Sequence, residues 1–186
     1  MSHDAPNAVD AYASSLERSW WERLAFAFGS PSSFYFLVLI VLLFFENWLT
    51  FRPTRAASGW VDPAQYGLVV EDVFFVVDGK RLHAWWCDSP EHNPRRDGVI
   101  LFCHGNGGNL SCMAPEISAW QAAARCGFFI FDYPGYGRSE GSPTEPGCYS
   151  SADAAFDWLA TVKGVAPESV LLVGESLGGA VAVDLA

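Results

Sequence analysis

The stretch Val173 to Ala186 reads VGESLGGAVAVDLA, and within it Gly174-Glu175-Ser176-Leu177-Gly178 has the spacing Gly-x-Ser-x-Gly. That spacing suits a serine carried on a sharp strand-to-helix turn with its hydroxyl exposed. The bare five-residue pattern is weak, but its setting is specific. An apolar run, Val170 to Val173, precedes it directly and helix-forming residues follow. A serine held this way is a candidate nucleophile for attack on a carbonyl carbon, forming an acyl intermediate. Gly174 and Gly178 let the turn approach its neighbours without Cβ clashes, and Gly179 is expected to let the helix pack closely on the sheet. The competing reading is a glycine-rich junction with an incidental serine.

Two more loops carry residues of chemical interest. Phe102-Cys103-His104-Gly105-Asn106-Gly107-Gly108-Asn109 follows the apolar run Val99 to Cys103. It lacks the Gly-Lys-Ser/Thr ending of a phosphate loop, and the third glycine of a dinucleotide pattern would fall on Leu110. The better reading is an oxyanion hole, with the backbone N–H groups of Asn106 and Leu177 facing a developing negative oxygen. His104 and Gly105 are then structural, and His104 precedes the serine, the wrong order for its base. The third loop, Asp132-Tyr133-Pro134-Gly135-Tyr136-Gly137-Arg138-Ser139-Glu140-Gly141, suits a pocket wall. Asp132 is expected to bond loop backbone, and a purely structural loop is the alternative.

The elements that must position these loops alternate. Val69–Val77 and Arg81–Cys87 form a hairpin through Asp78-Gly79. Val99–Cys103, Phe128–Phe131 and Val170–Val173 read as strands buried on both faces. Between them lie a helix from about Pro115 to Cys126 and another that Ser151 caps, with Ala155, Trp158, Leu159 and Val162 on one face, ending at Gly164. Strand–helix–strand–helix–strand with short connections predicts an α/β fold with a parallel sheet and right-handed crossovers.

Composition narrows the partners. Eleven basic against 21 acidic residues give a formal net charge of −10, which opposes attraction to nucleic acid. The five cysteines, Cys87, Cys103, Cys112, Cys126 and Cys148, form no CxxC pair and read as small apolar residues. No metal and no cofactor is expected.

Residues 34–45, FYFLVLIVLLFF, are apolar without a break. Ser32 to Leu49 reaches the lower limit for a spanning helix, with Trp48, Phe51, Trp20 and Trp21 suited to an aromatic belt. A buried core helix would need to be covered all round, and a cleaved signal does not fit the roughly thirty mixed residues upstream. Arg18 and Arg23 balance Arg52 and Arg55, leaving orientation open. The expected organisation is a tail over 1–31, a single-pass transmembrane anchor over 32–50, a linker over 51–67 and the N-terminal portion of an α/β domain over 68–186.

HGNGGNL, DYPGYGRSEGSPTE and GESLGGAVAVDLA, in this order, resemble the α/β-hydrolase superfamily. They are most similar to its membrane-anchored branch, related to depalmitoylating thioesterases and bud-emergence-type serine hydrolases. The resemblance runs from about Val69 onward and implies Ser176 as nucleophile, Asn106 and Leu177 as oxyanion donors, and a small-molecule, lipid or acylated substrate. Such folds order the triad as Ser, then Asp or Glu, then His. Here His3, His83, His92 and His104 all precede Ser176, and the one later acid is Asp184, carried ~12 Å along its helix from the serine. The expectation is a chain cut short after the nucleophile helix, with negligible turnover by itself. A membrane-tethered, non-catalytic binding module is the alternative.

Overall fold

The computed structural model describes residues 31–88, 98–124 and 126–186. The expected tail up to Ser30, with Trp20, Trp21, Arg18 and Arg23, lies outside the described residues, as do most of the polar loop after Cys87 and Arg125. By contacts the chain forms two compact units, residues 1–46 and 47–186.

Helix α1 spans Pro31–Thr50, and none of its residues is buried. At ~1.5 Å per residue its 20 residues extend ~30 Å, the thickness of a bilayer's hydrocarbon core. By length and composition it can cross a membrane.

The second unit holds, in order, β1 (Arg52–Pro53), β2 (Val70–Val77), β3 (Lys80–Cys87), β4 (Val99–Cys103), β5 (Gly107–Gly108), α2 (Ala114–Ala124), β6 (Gly127–Phe131), α3 (Glu145–Trp158), β7 (Val170–Gly174) and α4 (Leu177–Leu185). Asp78 and Gly79 both take positive φ, 50° and 73°, the backbone that a two-residue hairpin loop needs to match strand twist. The main sheet runs β2-β3-β6-β4-β7, antiparallel across the first two pairings and parallel across the last two.

Side-chain alternation builds the layers. Trp86, Leu101, Cys103, Phe129 and Phe131 point to one face, where Cys148, Ala152 and Ala155 of α3 and Val181 of α4 cover them. Trp85, Ile100, Phe102, Phe128 and Ile130 point to the other, under Ala114 and Ile117 of α2. The crossover from β4 to β6 passes over one face, and that from β6 to β7 moves the opposite way over the other. Reversing direction and face together keeps both crossovers of one hand.

The structure corrects three expectations. The helix expected to start at Ser151 starts at Glu145. Thr144 caps it, its hydroxyl accepting from the Gly147 N–H at 3.1 Å, with Pro146 in the first turn, where a missing N–H costs nothing. Ser151 instead bonds back to the Gly147 carbonyl inside the helix. Val162, expected on its buried face, is 60% exposed, because a π-helical turn over Leu159–Lys163 shifts the register after Trp158. Strand β7, expected to be buried on both faces, is partly exposed, with Leu171 at 60%, because it is the sheet's edge among the described residues.

Residues 51–67, expected as a linker, are hydrogen-bonded into the second unit. Phe51 is buried in its core, β1 pairs in parallel with β5, and Pro63–Tyr66 forms a 3-10 turn capped by Asp62.

Phe129 ties the layers together: it is fully buried and stacks on Trp158 with ring centroids 4.6 Å apart and planes 5° from parallel. Phe129→Ala is expected to lower stability by about 3–5 kcal/mol, read as a shifted urea midpoint.

Candidate active site

The site lies between the carboxyl ends of β4 and β7. From there the chain leaves β4 toward α2 on one face and β7 toward α4 on the other, the crevice where parallel α/β sheets place their ligands. Register brings the two loops together: Cys103 pairs with Gly174, and the Glu175 N–H donates to the Cys103 carbonyl at 3.1 Å.

Ser176 sits on this turn with φ 50° and ψ −112°, and it is exposed. A non-glycine residue in such backbone costs of order 1–3 kcal/mol and persists only where its surroundings enforce it. The enforcement is visible. A Cβ on Gly174 would overlap the Gly178 carbonyl, and one on Gly178 would overlap the Cys103 and His104 carbonyls. The first turn of α4 therefore lies backbone to backbone on the end of β4. Gly178 permits this approach, as expected, whereas Gly179, also expected to let the helix pack closely, does not, since a Cβ there would find only ordinary contact at 3.7 Å. Gly105 faces the serine directly: a Cβ there would stand 3.8 Å from the Ser176 Cβ.

Asn106 follows, and its side chain makes three hydrogen bonds. Its Oδ1 accepts from the Arg52 N–H at 2.9 Å and the Tyr136 hydroxyl at 2.8 Å, and its Nδ2 donates to the Thr50 carbonyl. Leu177 opens α4, where helix N–H groups lack intrahelical acceptors.

His104 is buried. Its Nδ1–H donates to the Gly105 carbonyl at 2.8 Å, and its backbone carbonyl accepts from the Tyr133 hydroxyl at 3.0 Å. Its Nε2 stands 3.6 Å from Asp132 Oδ1, while His83 Nδ1 stands 3.6 Å from Asp132 Oδ2. Asp132 also accepts from the Leu110 N–H at 2.8 Å, and a Cβ on Gly137 would overlap its carboxylate. Burial pushes the Asp132 carboxyl up, but the imidazoles of His104 and His83 and the Leu110 N–H outweigh it, holding the group below its ordinary value.

From there the network reaches the surface. His83 Nε2 meets Asp72 Oδ1 at 2.7 Å, the Trp85 indole N–H donates to the same oxygen at 3.0 Å, and Arg138 pairs with Oδ2 at 3.0 Å. Burial pushes the Asp72 carboxyl up, but His83, Arg138 and Trp85 pull it down further. Both described histidines are thus engaged with Asp72, Asp132 and the Gly105 carbonyl. A separate apolar cavity of about 300 Å³, lined by Asn47, Trp48, Phe51, Pro53, Ser142 and Pro143, does not include Ser176 in its wall.

Sequence reasoning missed Asp72 and residues 50–55 as parts of this site, and named Tyr136 only within a loop suited to a pocket wall. Asp72 left one trace, a carboxylate inside the apolar strand run VVEDVFFVV. The contacts of residues 50–55 run largely through backbone groups, which leave no signature in residue type.

Asp132 gives a pH dependence. Its folded-state value is lowered, so its stabilisation is complete above the ordinary 3.8 and is lost as pH falls through the lower folded value. Asp132→Asn is expected to lose about 3–5 kcal/mol at neutral pH. Its melting temperature is expected to fall less steeply than the wild type's below pH 4.

A family model described as "Alpha/beta hydrolase family" matches residues 100–186. The protein YfhR of Salmonella typhi is 36% identical over 107 residues, covering 57% of this chain and 36% of YfhR. The α/β hydrolase domain-containing protein WAV2 of Arabidopsis thaliana is 33% identical over 150 residues, covering 78% of this chain and 48% of WAV2. The chain thus spans between about a third and a half of these relatives' length. Among solved structures, the Pyrococcus furiosus esterase Pf2001 superposes with a TM-score of 0.56 at 22% identity, over 72% of this chain and 50% of the esterase. The family model, the relatives and the shared sheet together support one assignment: the chain has the α/β-hydrolase fold and is similar in sequence to α/β-hydrolase proteins.

Proposed function

We propose that the whole protein is a serine hydrolase of ester, thioester or amide bonds. Ser176 Oγ attacks the carbonyl carbon, and the carbonyl electron pair moves to oxygen. Collapse of that oxyanion expels the alcohol, thiol or amine and leaves an acyl group on Ser176, which water then removes. The backbone N–H groups of Asn106 and Leu177 stabilise the oxyanion, which forms only on the way through the transition state. The observation that carries this reading is the strained, exposed Ser176 with Gly105 opposite it. The similar Pyrococcus protein is an esterase, which is consistent with it.

The base and its orienting acid are a histidine and an Asp or Glu from chain beyond Ala186, in the Ser, acid, His order of this fold. That is consistent with the contacts that already occupy His83 and His104. The same observation favours a second reading, a non-catalytic binding module that keeps the pocket. Helix α1 serves as a single-pass anchor in both readings, and a lipid or acylated substrate follows from that location.

An alkyl fluorophosphonate separates them. The whole protein is expected to take one label, lost in Ser176→Ala; an unlabelled wild type selects the binding module. For the anchor, deleting residues 32–50 is expected to move the protein from the carbonate-resistant membrane pellet to the supernatant, and an unchanged pellet fraction excludes it.

A further inference from the structure

The segment that leaves α1 is stitched to the loop that carries Asn106. The Thr50 carbonyl and the Arg52 N–H hold the two ends of the Asn106 carboxamide. Arg52 and Pro53 pair in register with Gly107 and Gly108, and the Thr54 N–H donates to the Gly108 carbonyl at 3.0 Å. The Thr54 carbonyl accepts from the Gly137 N–H at 3.0 Å and from Asn109 Nδ2 at 3.2 Å. One residue on, the Arg55 guanidinium donates to the Ser139 and Gly141 carbonyls, both at 2.9 Å. The Tyr136 hydroxyl closes the circle on Asn106 Oδ1.

We infer that Thr50–Arg55 is a strap that aims the Asn106 backbone N–H at the reacting oxygen, with the Asn106 carboxamide and the Tyr136 hydroxyl as its positioning groups. The inference rests on the reading of that N–H as an oxyanion donor, and it adds the device that fixes its direction.

The loop needs one. Three of the four residues Gly105–Gly108 are glycine, which restrains its own backbone least of all residues. Gly108 must be small because its φ is 81° and a Cβ would crowd the Cys112 sulfur. A loop so built cannot hold an amide direction by local preference. An oxyanion donor acts only when already aimed within hydrogen-bond length and angle of the developing charge. Asn106 is the one residue there with a side chain, and all three of its hydrogen bonds leave the loop. Two go to the strap and one to Tyr136, whose ring is buried against His104 and Tyr133. Misaiming the N–H weakens a bond made in the transition state, so the loss belongs in kcat and not in KM.

The test uses the whole protein with p-nitrophenyl butyrate and the fluorophosphonate probe. Tyr136→Phe keeps the buried ring and removes one donor to Asn106; it is expected to lower kcat about 3–10-fold. Asn106→Ala removes all three bonds and leaves the backbone N–H; it is expected to lower kcat about 10–100-fold. Asn106→Asp puts an oxygen against the Thr50 carbonyl and is expected to fall with the alanine variant. In all three KM stays within about twofold, and the Ser176 labelling rate falls in parallel with kcat. Wild-type kcat in Tyr136→Phe and Asn106→Ala, or a loss carried by KM, overturns the strap while leaving the hydrolase reading intact. Wild-type turnover in Ser176→Ala overturns both.

Discussion

The first turn of α4 rests on the end of β4 with no side chain between them, and the rest of the site follows from that approach. Gly178 lies so near the Cys103 and His104 carbonyls that no Cβ fits, and Gly174 is equally close to the Gly178 carbonyl. With the helix this near, the chain has too little room to turn from β7 into α4 through ordinary backbone. Ser176 takes the distortion, at φ 50° and ψ −112°. Strain at Ser176, its exposure and its proximity to Gly105 are three results of one packing constraint.

Topology decides where that constraint can arise. Strands β4 and β7 are neighbours whose following helices depart to opposite faces, so their loops splay and leave a crevice. The antiparallel hairpin β2–β3 borders β6 on the other side, and there it contributes His83 and Asp72 to the network beneath the loops. Period-two alternation along β3, β4 and β6 gives each face its own aromatic core. The sheet is thereby fixed in register, and a slip of one residue would exchange the two cores.

Much of this was readable before the fold was known, for identifiable reasons. The Asp78-Gly79 turn announced itself because positive φ at both central positions demands those residue types. The runs Val99–Cys103 and Phe128–Phe131 announced burial on both faces because no polar residue interrupts them. The Ser176 turn was readable because glycine spacing is the direct imprint of a backbone approach, although the exclusion of Gly179 from it depended on which glycine faces β4. Two things were not readable. Residues 50–55 have the proline and small polar content of a linker, and what binds them is mostly main-chain N–H and C=O, which every residue carries. The edge exposure of Leu171 is a property of sheet position, and a run of apolar residues reads the same in the middle of a sheet as at its edge.

Asp132 shows how one buried charge can tie together the segments around a site. Its carboxylate is inaccessible to solvent and lies under the loop wall, flanked by two buried imidazoles and one backbone N–H. An isolated carboxylate in such a place would be costly, and the lowered Asp132 value states that its neighbours repay more than the burial. Those neighbours belong to three different segments: His83 to β3, His104 to the loop after β4, and Leu110 to the turn before α2. A charge satisfied only when all three are in place rewards their simultaneous assembly, and the Gly137 approach to the same carboxylate brings in the fourth segment. His104 then passes this order to the Gly105 carbonyl through its other nitrogen, which is the last link before the backbone that faces Ser176. With Nδ1 held to the Gly105 carbonyl and Nε2 turned to the Asp132 carboxylate at 3.6 Å, the His104 ring is a link in the loop wall that joins the buried charge to the backbone opposite Ser176.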